Sequence, residues 1–475
     1  MNCSPISCGG QPGLTEQAPD AARVSDRASS QDKGPAKPSS ASLGLLTVLG
    51  VVFGISVIVG NSIGSGILRT PGVVAEKLPT PFLFLAVWVL GGLYAALGAN
   101  SLAELAAMMP ESGGYTVYLR RALGPYAGFV IGWSDWLSTC SSLALAALVI
   151  GEYTAILLGL AKNLTSTLAS VVIVLFALIQ LRGVRTGSLT QNITAVLKAL
   201  AFAVLIAACF VLGHGFNHGE STAGLPTGFP FLVAFVLAMQ AVIFTYDGWN
   251  GIVYFSGELR DPDRDIPRSM FGGVAAVTVI YLLVNIGFLY VLTIGQMAGQ
   301  PLVAATAANA IFGARGDTVI RVLTIVSLLS AVNAYQLMTS RVLHRLSVSG
   351  FVPAADYVNR GGTPVVALLL SAAACLVMVI TGTLEIVLAV TAFLFVAQYT
   401  LAFTTVFILR RREPETRRPF RAIGHPWTTG LVLVLSVAFL VGTFFADTRN
   451  SIYSLLLLAV SWPVYLMVRP KAVAG

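Results

Sequence analysis

Apolar residues in this chain come in long unbroken runs. Twelve such runs fall at about 45–77, 81–109, 125–159, 165–182, 188–213, 228–258, 269–295, 316–345, 363–381, 383–409, 428–446 and 451–468. A helix needs about 20 residues to cross the hydrocarbon core. A membrane barrel instead shows short alternating segments. In lipid each backbone N–H and C=O must be paired internally, which leaves helices and closed barrels as the spanning structures. The pattern therefore predicts an all-α polytopic membrane protein with 12 transmembrane helices. The loops are short, so residues 43–470 form one membrane domain. Residues 1–42 are rich in Ser, Ala, Pro, Gly and Gln, and are expected to be a disordered cytoplasmic tail. Residues 471–475 form a short C-terminal tail.

Two runs are interrupted at mid-length. The first carries "GNSIGSGILRTPG" (60–72) and the sixth carries "FTYDGWNG" (244–251). Gly64 and Gly248 stand 184 residues apart, which is about five spans with their loops. One broken helix at the start of each five-span half points to a transporter built from inverted repeats. The repeats cover about 43–213 and 228–409, and the last two helices, about 428–468, are additional.

Composition agrees with the pattern. The chain is 56% hydrophobic and 11% charged, where soluble domains carry about 25% charged residues. The net charge of +8 is no sign of nucleic acid, because the basic residues sit in short loops without interleaved aromatics. With the N-terminus placed in the cytoplasm, the inner loops and tail hold 18 Lys and Arg and the outer loops hold four. By the positive-inside rule both termini are then cytoplasmic. The five Cys suggest neither a disulfide framework nor a metal site, and the four His show no ligand spacing. No cofactor is expected. HExxH does not occur, and the G-x-S-x-G at Gly60–Gly64 lies inside an apolar run with no strand before it, so the chain does not read as an enzyme.

A helix broken at mid-membrane leaves free N–H groups on one half and free C=O groups on the other. A zwitterion satisfies both ends, its carboxylate at the positive helix end and its ammonium at the negative one. The N–H groups of Gly64, Ser65 and Gly66 are the expected carboxylate ligands. The carbonyls of Ser62 and Ile63, with those of Phe244 and Tyr246, are the expected amine acceptors. Gly60-x-x-x-Gly64 also fits a helix-packing face, but the paired break in the sixth run favours a binding site. Lys198, about ten residues into the fifth run, is either functional or snorkels to the inner interface. Asp247 suits an N-cap of the resumed half-helix, a contact to the substrate amine, or a protonatable coupling group. Glu258 is expected to pair with an inner-loop Arg. Arg69 lines an outer vestibule or caps a loop.

These pieces resemble the amino acid–polyamine–organocation (APC) superfamily, on its LAT-like side, from about Leu43 to Pro470. The matching motifs are "VGNSIGSGILRTPG", "LAELAAMMPESGGYTVYLRRALGPYAGFVIGW" (102–133) and "FTYDGWNGIVYFSGELRDPDRDIPRSM" (244–270). Further on come "SRVLHRLSVSGFVP" (340–353), "GTPVVAL" (362–368) and "LRRREPETRRPFRAIGHPW" (409–427). The resemblance implies a LeuT-type 5+5 inverted repeat and alternating-access transport of L-amino acids. It implies carboxylate binding by Gly64, Ser65 and Gly66, and an aromatic gate at Phe244. Trp249 and Asn250 would border the side-chain pocket. Lys198 matches a helix-5 lysine standing where sodium-coupled relatives hold the ion, which implies sodium independence. An exchanger or facilitator for neutral amino acids is expected, with a proton-coupled symporter and a non-transporting sensor as alternatives. Side-chain selectivity is expected from Ser138, Ser141, Asn250, Asn333, Tyr335 and Gln398. Heteromeric members carry a Cys in the outer loop after helix 3. Here that loop reads "GLAKNLT" (159–165), so no disulfide-linked heavy subunit is expected. The expected location is the plasma membrane.

Overall fold

The computed structural model describes residues 44–213, 215, 224, 227–381, 384–446 and 448–468. The expected tails, 1–42 and 471–475, lie outside the described residues. Among the described residues the fold is all helical, with two isolated bridges and no strand. The first span is two helices, α1 (Val51–Ser62) and α2 (Gly66–Lys77), bent by 51° at their junction. Then come α3 (Pro81–Met108), a short α4 (Tyr115–Leu123), α5 (Pro125–Leu157), α6 (Thr165–Leu181) and α7 (Val184–Leu212). The sixth span is α8 (Phe229–Tyr246), a turn, and a 3-10 helix at Gly251–Glu258. After it run α9 (Pro262–Val291), the short α10 (Ile294–Met297) and α11 (Val303–Phe312), and α12 (Gly316–Val348). The chain closes with α13 (Val365–Thr381), α14 (Leu384–Arg412), α15 (Trp427–Ala446) and α16 (Thr448–Val468).

Nine described spans are long and apolar enough to cross a membrane, and the bent α1–α2 pair adds a tenth. The apolar α13 has only 17 residues. Three short helices, α4, α10 and α11, sit in stretches read from sequence as loops. The amphipathic nonamer α4 has its Arg120 and Arg121 in the last turn, which suits the negative helix end. Its break from α5 is made by Gly124 at φ +96°, a backbone region open to glycine. Pro lies in the first turn of α3, α5, α8 and α9, where its missing N–H costs no helix bond.

At the centre, α1 lies against α7, α9 and α12, while α3 packs on α9 and α5 on α12. Outward faces carry Leu200, Val204 and Val211, which suits contact with lipid. Buried amides lock α6, α7 and α12 together. Asn333 donates to Gln191 Oε1 at 2.9 Å and to the Gly187 carbonyl at 3.1 Å. Gln180 donates to Asn333 Oδ1 at 3.0 Å, and Gln191 donates to the Ser56 carbonyl of α1 at 3.0 Å. Asn333 thus ties α12 to α6 and α7.

Candidate substrate-binding site at the two helix breaks

The first break spans residues 63–65. Asn61 and Ser62 before it, Ile63 within it, and Ile67 and Leu68 after it are buried, while Gly64, Ser65 and Gly66 are half-buried. A side chain added at Gly64 would meet no atom within 4 Å, so open space adjoins this residue. The N–H groups of Gly64, Ser65 and Gly66 find no acceptor among the described residues. Three free donors beside an open space, at the start of α2, suit an anionic group. Gly66 faces Thr245 of α8, whose Cγ2 would lie 3.1 Å from an added Cβ. Thr245 is held in turn. Its hydroxyl donates to the Ala241 carbonyl at 2.8 Å, which leaves Thr70 as the donor in their 2.7 Å contact.

The carbonyl end of α1 already has donors. The fully buried Lys198 of α7 donates to the Gly60 carbonyl at 2.7 Å and to the Ile63 carbonyl at 2.5 Å. Ser327 of α12 also donates to Ile63, at 3.0 Å. Tyr281 of α9 reaches the Ser62 carbonyl at 2.7 Å and the Thr245 carbonyl at 2.8 Å. One hydroxyl thus joins the carbonyl ends of α1 and α8. In the sequence these oxygens are candidates for either the substrate amine or the Lys198 ammonium, because an isolated helix shows them free. Lys198 is visible as a signal in the sequence. Tyr281 is not, since a tyrosine in an apolar helix reads as core.

The second break touches the first through backbone. Gly248, at φ +105°, would place a Cβ 2.7 Å from the Ser62 nitrogen and 3.0 Å from the Asn61 side chain, so only glycine permits this crossing. The chain resumes as a 3-10 helix at Gly251, and its N-cap, Asn250, makes no side-chain cap bond. The resumed half therefore starts later than the Gly-Trp-Asn reading expected, and Asp247 does not cap it. Instead the Asp247 carboxylate accepts from the Tyr399 hydroxyl of α14. The Phe244 carbonyl accepts from the Asp247 N–H at 3.3 Å, and the Tyr246 hydroxyl donates to the Trp88 carbonyl of α3 at 3.0 Å. Trp249 is buried, stacked on Tyr399 at 5.4 Å and pressed against Gly98. Asn250 donates to the Tyr115 hydroxyl at 2.5 Å. Phe244 is 61% exposed, so its ring does not cover the break in this conformation.

Toward the Arg-rich loops the bundle is sealed. Glu258 and Arg341 form a fully buried ion pair at 2.9 Å, with a second bond at 3.0 Å. Leu49, just before α1, donates to the Glu258 carbonyl and accepts from the Arg260 N–H, both at 3.0 Å. Glu104 accepts from Arg410 and the Ala422 N–H and lies in an ion pair with Arg418 at 3.2 Å. Arg69 is exposed. Among the other expected selectivity residues, Ser138, Ser141 and Gln398 are buried and Tyr335 is half-buried. Ser141 donates to the Leu137 carbonyl and Gln398 to Ser134. Asp135 of α5 is wholly buried, accepts from Tyr254 at 2.9 Å, and has a second oxygen without a partner. An uncompensated buried charge costs about 3–5 kcal/mol, so this group is a feature to explain. Among the described residues no group of His, Cys, Asp and Glu is arranged to hold a metal.

Two broken spans that meet at mid-bundle and expose free backbone donors define a multi-pass helical carrier of the inverted-repeat kind. The amino acid permease family model matches residues 43–468, and the chain belongs to that family. The chain is 28% identical to the serine/threonine exchanger SteT of Bacillus subtilis (strain 168), over 90% of this chain and 98% of that protein. It is 28% identical to the b(0,+)-type amino acid transporter 1 of Homo sapiens, over 83% and 81% of the two chains. Identity to the Asc-type amino acid transporter 1 of Mus musculus is 27%, over 88% and 80%. The protein is an integral membrane transporter of amino acids and not an enzyme.

Proposed function

We propose that the protein carries neutral L-amino acids by alternating access, without sodium, as an exchanger or facilitator. The observation that carries this reading is the Lys198 ammonium, fixed on the Gly60 and Ile63 carbonyls. These oxygens are the ones a bound cation would need, and the Lys198 amine already occupies them, which leaves no role for a sodium ion there. Substrate carboxylate binds at the N–H groups of Gly64, Ser65 and Gly66, where open space adjoins Gly64. The ammonium competes with Tyr281 for the Ser62 and Thr245 carbonyls and draws on those of Phe244 and Tyr246. Asp247, engaged by Tyr399, is the one acid at the break, which supports neutral side chains. Exchange is supported by the likeness to the serine/threonine exchanger.

Phe244 closes over the occupied site, and Trp249 and Asn250 support the pocket from below. We place the protein in the plasma membrane with both termini cytoplasmic, on the strength of the Arg-rich loops. The loop between α5 and α6 has no cysteine, which supports function without a disulfide-linked heavy subunit. The test is uptake of a labelled neutral amino acid into proteoliposomes. Flux should persist when choline replaces sodium and should rise with unlabelled amino acid inside. Flux that needs sodium would overturn the reading. A competition panel of unlabelled amino acids then identifies the substrate. Proton-coupled symport is the second reading, and the buried Asp135 favours it.

A further inference from the structure

Asp135 lies ten residues into α5, about 15 Å along the helix at 1.5 Å per residue. Its side chain has no exposed surface. Oδ1 accepts from the Tyr254 hydroxyl at 2.9 Å, while Oδ2 is buried with no partner among the described residues. Tyr254 comes from the 3-10 half of the sixth span. Nearby, α4 supplies Tyr115, which meets Tyr254 edge to face at 6.4 Å. From α14 comes Tyr399, 6.1 Å from Tyr115, whose hydroxyl holds Asp247. The two carboxyls thus stand at opposite ends of one buried tyrosine cluster.

The remaining titratable groups offer no counter-charge. From α4 come also Tyr118, Arg120, which donates to Ser349, and Arg121, paired with Glu413; from α12 come the half-buried Tyr335, Arg321, paired with Asp317, and Arg345, paired with Glu111. Arg341 of α12 is committed to Glu258, and His344 of α12 lies against the Ala355 carbonyl. α6 has no titratable side chain. α13 has one, Cys375, which donates to the Cys140 carbonyl. Tyr465 of α16 packs on Phe129, and Lys162, beyond the far end of α5, is exposed. Among the described residues no Lys, Arg or His lies within ion-pair distance of Asp135 or Asp247. A carboxylate so placed has no exposed surface and no cation in ion-pair reach, and an intramembrane acid of this kind marks a proton relay.

We propose that Asp135 is a proton-binding site, loaded while Tyr254 covers it and emptied when the 3-10 half of the sixth span swings away. The inference rests on the transport reading and adds the proton as a second ligand. On opening, the Oδ2–H bond breaks and the proton passes to entering water, which then solvates the carboxylate. On closing, the carboxylate takes a proton from water before Tyr254 seals it. No electrons change hands. Asp247 differs from it, because its carboxylate accepts from Tyr399 and neither of its oxygens is left buried without a partner.

The test has two arms on the purified full chain. Infrared spectra at neutral pH should show the C=O stretch of a protonated carboxyl. That band should vanish in Asp135→Asn and remain in Asp247→Asn. Identical wild-type and Asp135→Asn spectra overturn the proposal. In proteoliposomes, counterflow of a labelled neutral amino acid should vary with pH along a single-proton curve, by up to about tenfold per pH unit. Asp135→Asn should give a flat profile, and Asp135→Glu should keep the curve with a moved midpoint. A wild-type curve retained in Asp135→Asn overturns the proposal. If the Asn variant fails to fold, a moved infrared band in Asp135→Glu decides the matter, and an unmoved one overturns it. A chain that keeps the infrared band yet moves no amino acid upholds the proton site and sinks the transport reading.

Discussion

The Lys198 ammonium sits 2.5 Å from the Ile63 carbonyl, so a charged side chain of α7 closes the backbone gap at the end of α1. Lys198→Met keeps the length and removes the donor. The Gly60 carbonyl then loses its donor, at about 1–3 kcal/mol, while Ile63 retains Ser327. Thermal unfolding in detergent should shift down by that amount, and uptake should fall at least tenfold. An unchanged midpoint with normal uptake would show that the break is held by other means.

Glycine positions separate packing from binding. Gly64→Ala should fold normally, since the added methyl meets nothing, yet it enters the space a carboxylate needs. Substrate affinity should drop about tenfold or more, roughly 1.4 kcal/mol. Gly66→Val crowds Thr245 and should abolish binding while the protein still folds. Normal affinity in both, by scintillation proximity with a labelled amino acid, would remove the carboxylate assignment.

Tyr281→Phe keeps the ring against Trp88 and Tyr246 and deletes the hydroxyl shared by two carbonyls. Stability should fall by about 1–2 kcal/mol. The freed oxygens should favour an ammonium, raising amino acid affinity about three- to tenfold. Calorimetric titration measures it. A lower affinity would mean that Tyr281 helps the amine and does not compete with it.

Arg341→Met leaves the buried Glu258 without its counter-charge, at about 3–5 kcal/mol. The double variant Glu258→Gln/Arg341→Met should recover most of that loss. The single variant should also open the Arg-rich side, read as faster labelling of a cysteine placed at Ser256. A double variant no more stable than the single one would mean that the ion pair does not close this face.

On the loop surface, the Arg121 guanidinium bonded to Glu413 holds that carboxyl below its usual range. A depressed carboxylate adds stability above its unfolded-state value and loses it as pH falls through the folded one. The pair is partly exposed, so the effect is small and weakened by salt. As pH falls below about 4.5, the wild-type unfolding midpoint should fall more than that of Glu413→Gln. Parallel curves would show that the pair contributes nothing.

The sequence makes some of this architecture legible and hides the rest for physical reasons. Twelve apolar runs and two Gly-rich interruptions are composition signals, so the spans and both breaks can be read directly. Lys198 stands out because a charge in an apolar run is rare. Asp135 carries the same signal and was readable on the same ground. Tyr281 and Ser327 were not, because hydroxyls in helices are common and their partners lie 219 and 264 residues away. Asn333 looked like a pocket residue by helix position. Its facing neighbours, Gln180 and Gln191, come from two other helices, and no local pattern reveals that meeting.

The tie from Tyr281 to Ser62 also bears on how the protein is made. The break in the first span is completed by side chains that follow it by more than 130 residues for Lys198 and more than 200 for Tyr281. Synthesis runs at about 5–20 residues per second, so roughly ten to forty seconds separate these events on the ribosome. During that interval the first helix enters the bilayer with its mid-depth carbonyls lacking their final partners. Insertion of this protein therefore requires a waiting stage, in which water, lipid headgroups or the insertion machinery shelter a half-finished helix until α9 arrives.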